Sequence, residues 1–126
     1  MVVAMPDPKK ILVVDDDYGF LESLQLLLMD DGHEVIPASN GKEAIEKYAE
    51  FEPDIVLLDV RMPGIDGYET FLQIIEQDPG ARVVFTSAYS IRSAQYKKAK
   101  DLSLSGILSK PIEFTKLRRM ITKYAK

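Results

Sequence analysis

The sequence predicts a doubly wound α/β domain, a five-stranded parallel sheet with helices packed on both faces. Five short, mostly β-branched apolar runs recur along the chain: Ile11-Leu12-Val13-Val14, Val35-Ile36, Ile55-Val56-Leu57-Leu58, Val83-Val84-Phe85 and Gly106-Ile107-Leu108. The longer runs are continuous rather than alternating, the pattern of strands buried on both faces. Between them lie segments whose apolar residues recur at intervals of three and four, the spacing of an amphipathic helix. Strands and helices in strict alternation imply parallel β-α units.

The first run, Ile11–Val14, is the first strand. Phe20, Leu21, Leu24, Leu27 and Leu28 then trace a helical stripe, with Asp17 before it as a cap and Tyr18 and Phe20 read as packing residues. His33, just ahead of the second strand, is expected at a surface or sheet edge. Asn40 with Glu43 three residues on forms a capping pair for a second helix carrying Ala44, Ile45, Tyr48 and Ala49. Asp66 with Glu69 opens a third helix, which Asp78-Pro79-Gly80 ends. The segment Met62-Pro63-Gly64 before it reads as loop geometry. The last two helices are expected over about 91–102 and 113–124.

Composition bounds what such a domain does. With 126 residues, 46% of them hydrophobic, the chain builds one core and no second folded unit. A net charge of -4 argues against general attraction to nucleic acid or an anionic membrane. No cysteine is present, which excludes disulfides, thiol nucleophiles and thiolate zinc sites, and a single histidine cannot build a histidine metal cluster. Apolar stretches are too short to span a bilayer or direct export, so a cytoplasmic domain over 9–126 is expected, behind a flexible lead at 1–8.

In sheets of this kind ligands sit outside the carboxyl ends of the strands, where the winding reverses. Asp15, Asp16 and Asp17 follow the first strand, Asp59 the third, Thr86 and Ser87 the fourth, and Lys110-Pro111 the fifth. If the strands run in the order 2-1-3-4-5, Asp15, Asp16 and Asp59 meet at adjacent strand ends. Two like charges about 5 Å apart repel by roughly 3 kcal/mol at an effective dielectric of 20. Such a cluster calls for protonation or a cation, and an oxygen-only donor set suits Mg²⁺. A carboxylate can attack phosphorus to form an acyl phosphate when positive charge offsets the approach of two anions. Asp59 is the candidate nucleophile, with Lys110 as a second cation and Ser87 or Thr86 as a hydroxyl donor.

The segments Ile11–Asp16, Pro53–Gly67, Thr86-Ser87-Ala88 and Lys110-Pro111 closely resemble the receiver domains of two-component response regulators, over about Lys9 to Lys126. The resemblance implies a flavodoxin-like (receiver) fold with strand order 2-1-3-4-5. It implies that Asp59 accepts a phosphoryl group from a histidine kinase or histidine phosphotransfer protein. Asp16, Asp59 and the backbone carbonyl of Arg61 would hold Mg²⁺, with Asp15 helping through water. Ser87 would be the switch hydroxyl, Lys110 the phosphoryl-binding lysine and the bond to Pro111 cis. Such a chain is a signalling domain rather than an enzyme, assisting its own phosphorylation and dephosphorylation in a phosphorelay.

Three features depart from the usual pattern, one of them Ile112 after Lys110-Pro111, where phenylalanine is common. Ile107 occupies the switch position three before the lysine, where an aromatic residue is usual, so movement of the loop and fourth helix is expected to outweigh a ring swing. The span from Ser87 to Lys110 is one residue longer than usual, which leaves Thr86 open beside Ser87. Arg61, two after Asp59, and Tyr89, two after Ser87, lack the chemistry to activate water and are expected to shield the acyl phosphate and slow its loss.

Other classes fit less well. A phosphate-cradling glycine loop would not be triply acidic, and an aspartyl phosphatase would carry a second Asp where Arg61 stands. A receiver-like module that binds partners without phosphorylation is the remaining alternative. Between Arg82 and Lys126 the only acids are Asp101 and Glu113, so this basic third suits an acidic protein target at the fourth and fifth helices, or a phosphorylation-dependent dimer of an otherwise monomeric domain. Direct nucleic-acid binding is not expected, because no recognition helix is visible.

Overall fold

A computed structural model describes residues 7–62, 64–88 and 94–126, with the side chains of Ala94 and Gln95 excepted. Five strands alternate with five helices: β1 (Lys10–Val14), α1 (Tyr18–Asp30), β2 (Glu34–Ala38), α2 (Gly41–Phe51), β3 (Ile55–Asp59), α3 (Gly67–Gln77), β4 (Val83–Ser87), α4 (Ala94–Asp101), β5 (Gly106–Ser109) and α5 (Phe114–Tyr124). All pairings are parallel and the strand order is β2-β1-β3-β4-β5. The doubly wound, flavodoxin-like expectation holds.

Side chains that alternate along each strand divide the interior into two cores. Leu12, Val14, Val56, Leu58, Val83 and Phe85 face α2, α3 and α4, where Ala44, Tyr48, Phe71, Ile74 and Ala99 cover them. Ile11, Val13, Ile55, Leu57, Val84 and Leu108 face the other way, beneath Leu21, Leu24 and Leu28 of α1 and Leu117 and Ile121 of α5. Phe71 and Phe85 meet edge to face with ring centroids 5.4 Å apart, an arrangement that suits their quadrupoles. β2 extends past its apolar pair to include Pro37, which an edge strand tolerates because one side of its backbone needs no ladder partner.

The caps form as the spacing predicts. Asp17 accepts from the Phe20 N–H, Asn40 from Glu43 and Asp66 from Glu69, each taking up an orphan amide of a first turn. Glu43 reaches back to the Ser39 N–H and hydroxyl. At the α1–β2 turn Gly32 adopts φ +91°, a conformation that a side chain would strain.

Three expectations are corrected. His33 is buried, its Nδ1 accepting the Lys9 N–H at 2.9 Å, because β1 and β2 pair right at their first residues. Tyr18 is 74% exposed, since it opens α1 ahead of the stripe that meets the sheet. Leu27 also stands largely outside that stripe, which consists of Leu21, Leu24 and Leu28.

Candidate functional site

Three chain reversals at the carboxyl edge of the sheet build the site. β1 ends at Val14, and the peptide of Asp15 is held in place by its N–H donating to the Ala38 carbonyl at 3.0 Å. Asp15 is 1% exposed, and its Oδ1 accepts the Asp17 N–H at 2.9 Å, so the loop into α1 folds around this carboxylate. Asp16 between them is exposed. β3 ends on Asp59, itself buried, whose Oδ1 accepts the Arg61 N–H at 3.2 Å. Oxygens of Asp15, Asp16 and Asp59 all lie within 4.8 Å of one another.

The close approach of α3 keeps this strand end in position. A Cβ on Gly67 would lie 2.2 Å from the Asp59 carbonyl oxygen and 2.6 Å from the Val60 Cα. Only a residue without a side chain lets the helix start there, and the Gly67 N–H donates to the Val60 carbonyl at 3.0 Å.

Lys110 arrives from β5. Its N–H donates to the Ser87 carbonyl at 2.7 Å, and the bond to Pro111 is cis. The ammonium pairs with Asp15 Oδ2 at 2.5 Å and stands 3.6 Å from Asp59 Oδ2 and 4.4 Å over the ring of Phe20. Thr86 and Ser87 are both buried at the end of β4; Thr86 is the register partner of Asp59, while Ser87 pairs with Ser109 beside the lysine.

Burial raises the Asp59 carboxyl above its ordinary value of 3.8. The Asp15 charge adds to this and Asp16 contributes less, whereas Lys110 and the Arg61 N–H pull the other way. The upward causes prevail. An oxygen-only donor set that resists its own ionisation fits a small divalent cation, and Asp15, Asp16 and Asp59 are the residues that could hold Mg²⁺. Such a centre, with a carboxylate nucleophile beside an ammonium, is suited to phosphoryl transfer.

The structure therefore brings together Asp15, Asp16, Asp59 and Lys110, with the Arg61 peptide hydrogen-bonded to Asp59 and its side chain exposed. Ile107 lies apart from them, half-buried against the α2–α4 core. Tyr89 lies outside the described residues, as do Pro63 and the expected beginning of the fourth helix at Ile91. Two features escaped sequence reasoning: the direct Asp15–Lys110 pair, 95 residues apart, and the Phe20 ring beside the lysine. Position Phe20 at the start of α1 was the available signal for the second.

Comparison with known proteins gives a consistent result. The response regulator receiver domain family matches residues 11–122. The chemotaxis protein CheY of Listeria monocytogenes is 37% identical over 122 residues, covering 93% of this chain and 98% of that protein. The sporulation initiation phosphotransferase F of Bacillus subtilis is 32% identical, covering 92% of this chain and 93% of that protein. Among solved structures, the response regulator TrrA from Thermotoga maritima in complex with Mg²⁺ and BeF superimposes with a TM-score of 0.82 at 34% identity, covering 92% of this chain and 98% of that one.

Proposed function

The chain belongs to the response regulator receiver family, and from that premise we propose that it takes a phosphoryl group onto Asp59 from a histidine kinase or histidine phosphotransfer protein. One observation carries the reading: the carboxylate that ends β3 sits within reach of two further carboxylates and one ammonium. An Asp59 oxygen attacks phosphorus as the phosphorus–nitrogen bond of a phosphohistidine breaks, leaving an acyl phosphate here and a neutral imidazole, once protonated, on the donor. When bound, Mg²⁺ offsets charge on the phosphoryl oxygens. Asp15, Asp16, Asp59 and the Arg61 carbonyl are its proposed ligands.

Lys110 exchanges its contact with Asp15 for a phosphoryl oxygen, and the Ser87 hydroxyl, rather than that of Thr86, donates to another. Arg61 and Tyr89 guard the in-line approach of water and prolong the phosphorylated state. The signal leaves through the fourth and fifth helices, and beside the fifth a groove of about 460 Å³ between β5 and α5 is lined by Ile107, Met120 and Tyr124 together with Lys116, Arg119, Lys123 and one acid, Glu113. Apolar floor and basic rim suit an acidic protein segment. The solved structure of a Borrelia burgdorferi CheX-CheY-BeF3-Mg complex superimposes with a TM-score of 0.82 at 31% identity, so a relative of this fold engages a protein partner.

Mass spectrometry after treatment with acetyl phosphate and Mg²⁺ tests the reading. One added phosphoryl group is expected on the unaltered chain and none on Asp59→Asn. A variant labelled as fully as its parent would refute the assignment.

A further inference from the structure

We propose that Phe20 is a positioning residue for Lys110, its ring face holding the ammonium in line with Asp59. This rests on the reading of Asp59 and Lys110 given above. A lysine ammonium carries three N–H donors on a flexible four-carbon stem. Asp15 Oδ2 lies at 2.5 Å, Asp59 Oδ2 at 3.6 Å, and the centroid of the Phe20 ring at 4.4 Å. The three donors therefore have three electron-rich neighbours, and the aromatic one occupies a flank that water would otherwise fill. The lysine side chain is 19% exposed, so displacing water there strengthens the attraction between cation and ring.

The type of neighbour matters as much as its presence. A third carboxylate would hold the ammonium away from an incoming phosphoryl group and add negative charge to a site that already resists ionisation. A ring face attracts the cation without directing any one N–H, so the ammonium can pivot from Asp15 to a phosphoryl oxygen while its flank stays covered. Phe20 is itself held firmly. Its N–H donates to Asp17 Oδ1 at 3.1 Å, fixing the first turn of α1, and its side chain packs against the core beneath α1 and α5. The turn that carries Asp16 thus also carries the wall that aims Lys110.

The rate of Asp59 labelling by acetyl phosphate and Mg²⁺ tests this in five proteins: the parent, Phe20→Leu, Phe20→Trp, Lys110→Ala and the Phe20→Leu/Lys110→Ala double variant. Leucine keeps an apolar side chain but has no π face, so Phe20→Leu should slow labelling about fivefold, the scale of a partly desolvated cation–π contact. Tryptophan, the strongest cation–π partner, should restore the rate to within about twofold of the parent. In the Lys110→Ala background the leucine substitution should have no further effect.

Equal slowing by Phe20→Leu with and without the lysine would show that Phe20 merely packs, and would overturn the inference. Parent-like labelling of Phe20→Leu, with Lys110→Ala slow, would overturn it while leaving the role of Lys110 standing. Parent-like labelling of Lys110→Ala would bring down both. A readout independent of variant folding is the ring-current shift: in the parent the Lys110 ε-methylene protons should resonate upfield of an exposed lysine, and an ordinary shift would also overturn the inference.

Discussion

Asp59 is held in a form that the folded chain disfavours. Burial and then the Asp15 charge raise its carboxyl above 3.8, so ionising it costs more in the folded than in the unfolded state. A raised carboxyl favours the fold where it is protonated in both states, and that contribution is lost as pH rises through the folded value. Asp59→Asn should accordingly be more stable than the parent at pH 7, with the difference shrinking to nothing below about pH 3.8, a trend that urea unfolding across pH would measure. His33 works in the opposite direction. Burial, with a smaller push from Lys9, lowers it from 6.5 against the pull of Asp31, and its Nδ1 must stay unprotonated to accept the Lys9 N–H. Its contribution is complete above pH 6.5 and is lost as pH falls through the lowered value. The parent should lose stability over that window, whereas His33→Gln should start lower and change less. Neither property was legible locally: His33 accepts its hydrogen bond from Lys9, 24 residues away, and only strand pairing brings the two together.

Elements were most legible where a side chain acts on its own backbone. Asp17, Asn40 and Asp66 cap the helices that their spacing marks, because a cap is a contact over three residues. Asn40→Ala should therefore cost about 1 kcal/mol, read as a fall in the urea midpoint at unchanged slope. Exposure along a helix was less legible. Periodicity places Leu27 near an apolar stripe but does not say how wide a strip the sheet covers, and α1 is fully buried at Leu21, Leu24 and Leu28, with Phe20 packed in part beside them. Gly67 presents the same limit at a helix start: the sequence marks Asp66 as a cap, yet the reason for glycine beside it is the main chain of Asp59 and Val60. Gly67→Ala should force α3 away from the end of β3, at a cost of about 1–3 kcal/mol by overpacking. It should also slow phosphorylation, because the displaced strand end carries Asp59. Retained stability with lost labelling, or the reverse, would separate the two consequences in parallel unfolding and labelling experiments.

At the scale of the whole molecule, parallel order turns separated acids into one site. Strand order and two-sided packing were legible because the strands are continuously apolar; with β1 and β3 adjacent, Asp15, Asp16 and Asp59 converge. The Asp15–Lys110 pair was not, since β5 is three positions from β1 in the sheet and the segments leaving the two strands must converge before the lysine side chain can reach the carboxylate. That pair also bears on how the fold responds to a cation. Lys110 already neutralises part of the cluster, so Mg²⁺ should bind weakly in the resting domain, yet it should stabilise the whole fold because its proposed ligands stand at the ends of β1 and β3 and are gathered only when the chain is folded. At a free concentration about ten times the dissociation constant, the gain is about 1.4 kcal/mol. For a chain of 126 residues that corresponds to a rise of about 5 °C in Tm. Asp16→Asn removes an exposed ligand charge without disturbing the buried Asp15–Lys110 pair, and should fold normally while losing most of the rise. Differential scanning calorimetry with Mg²⁺ and with chelator, on parent and variant, would decide it: equal Mg²⁺-dependent shifts in the two proteins would place the cation elsewhere.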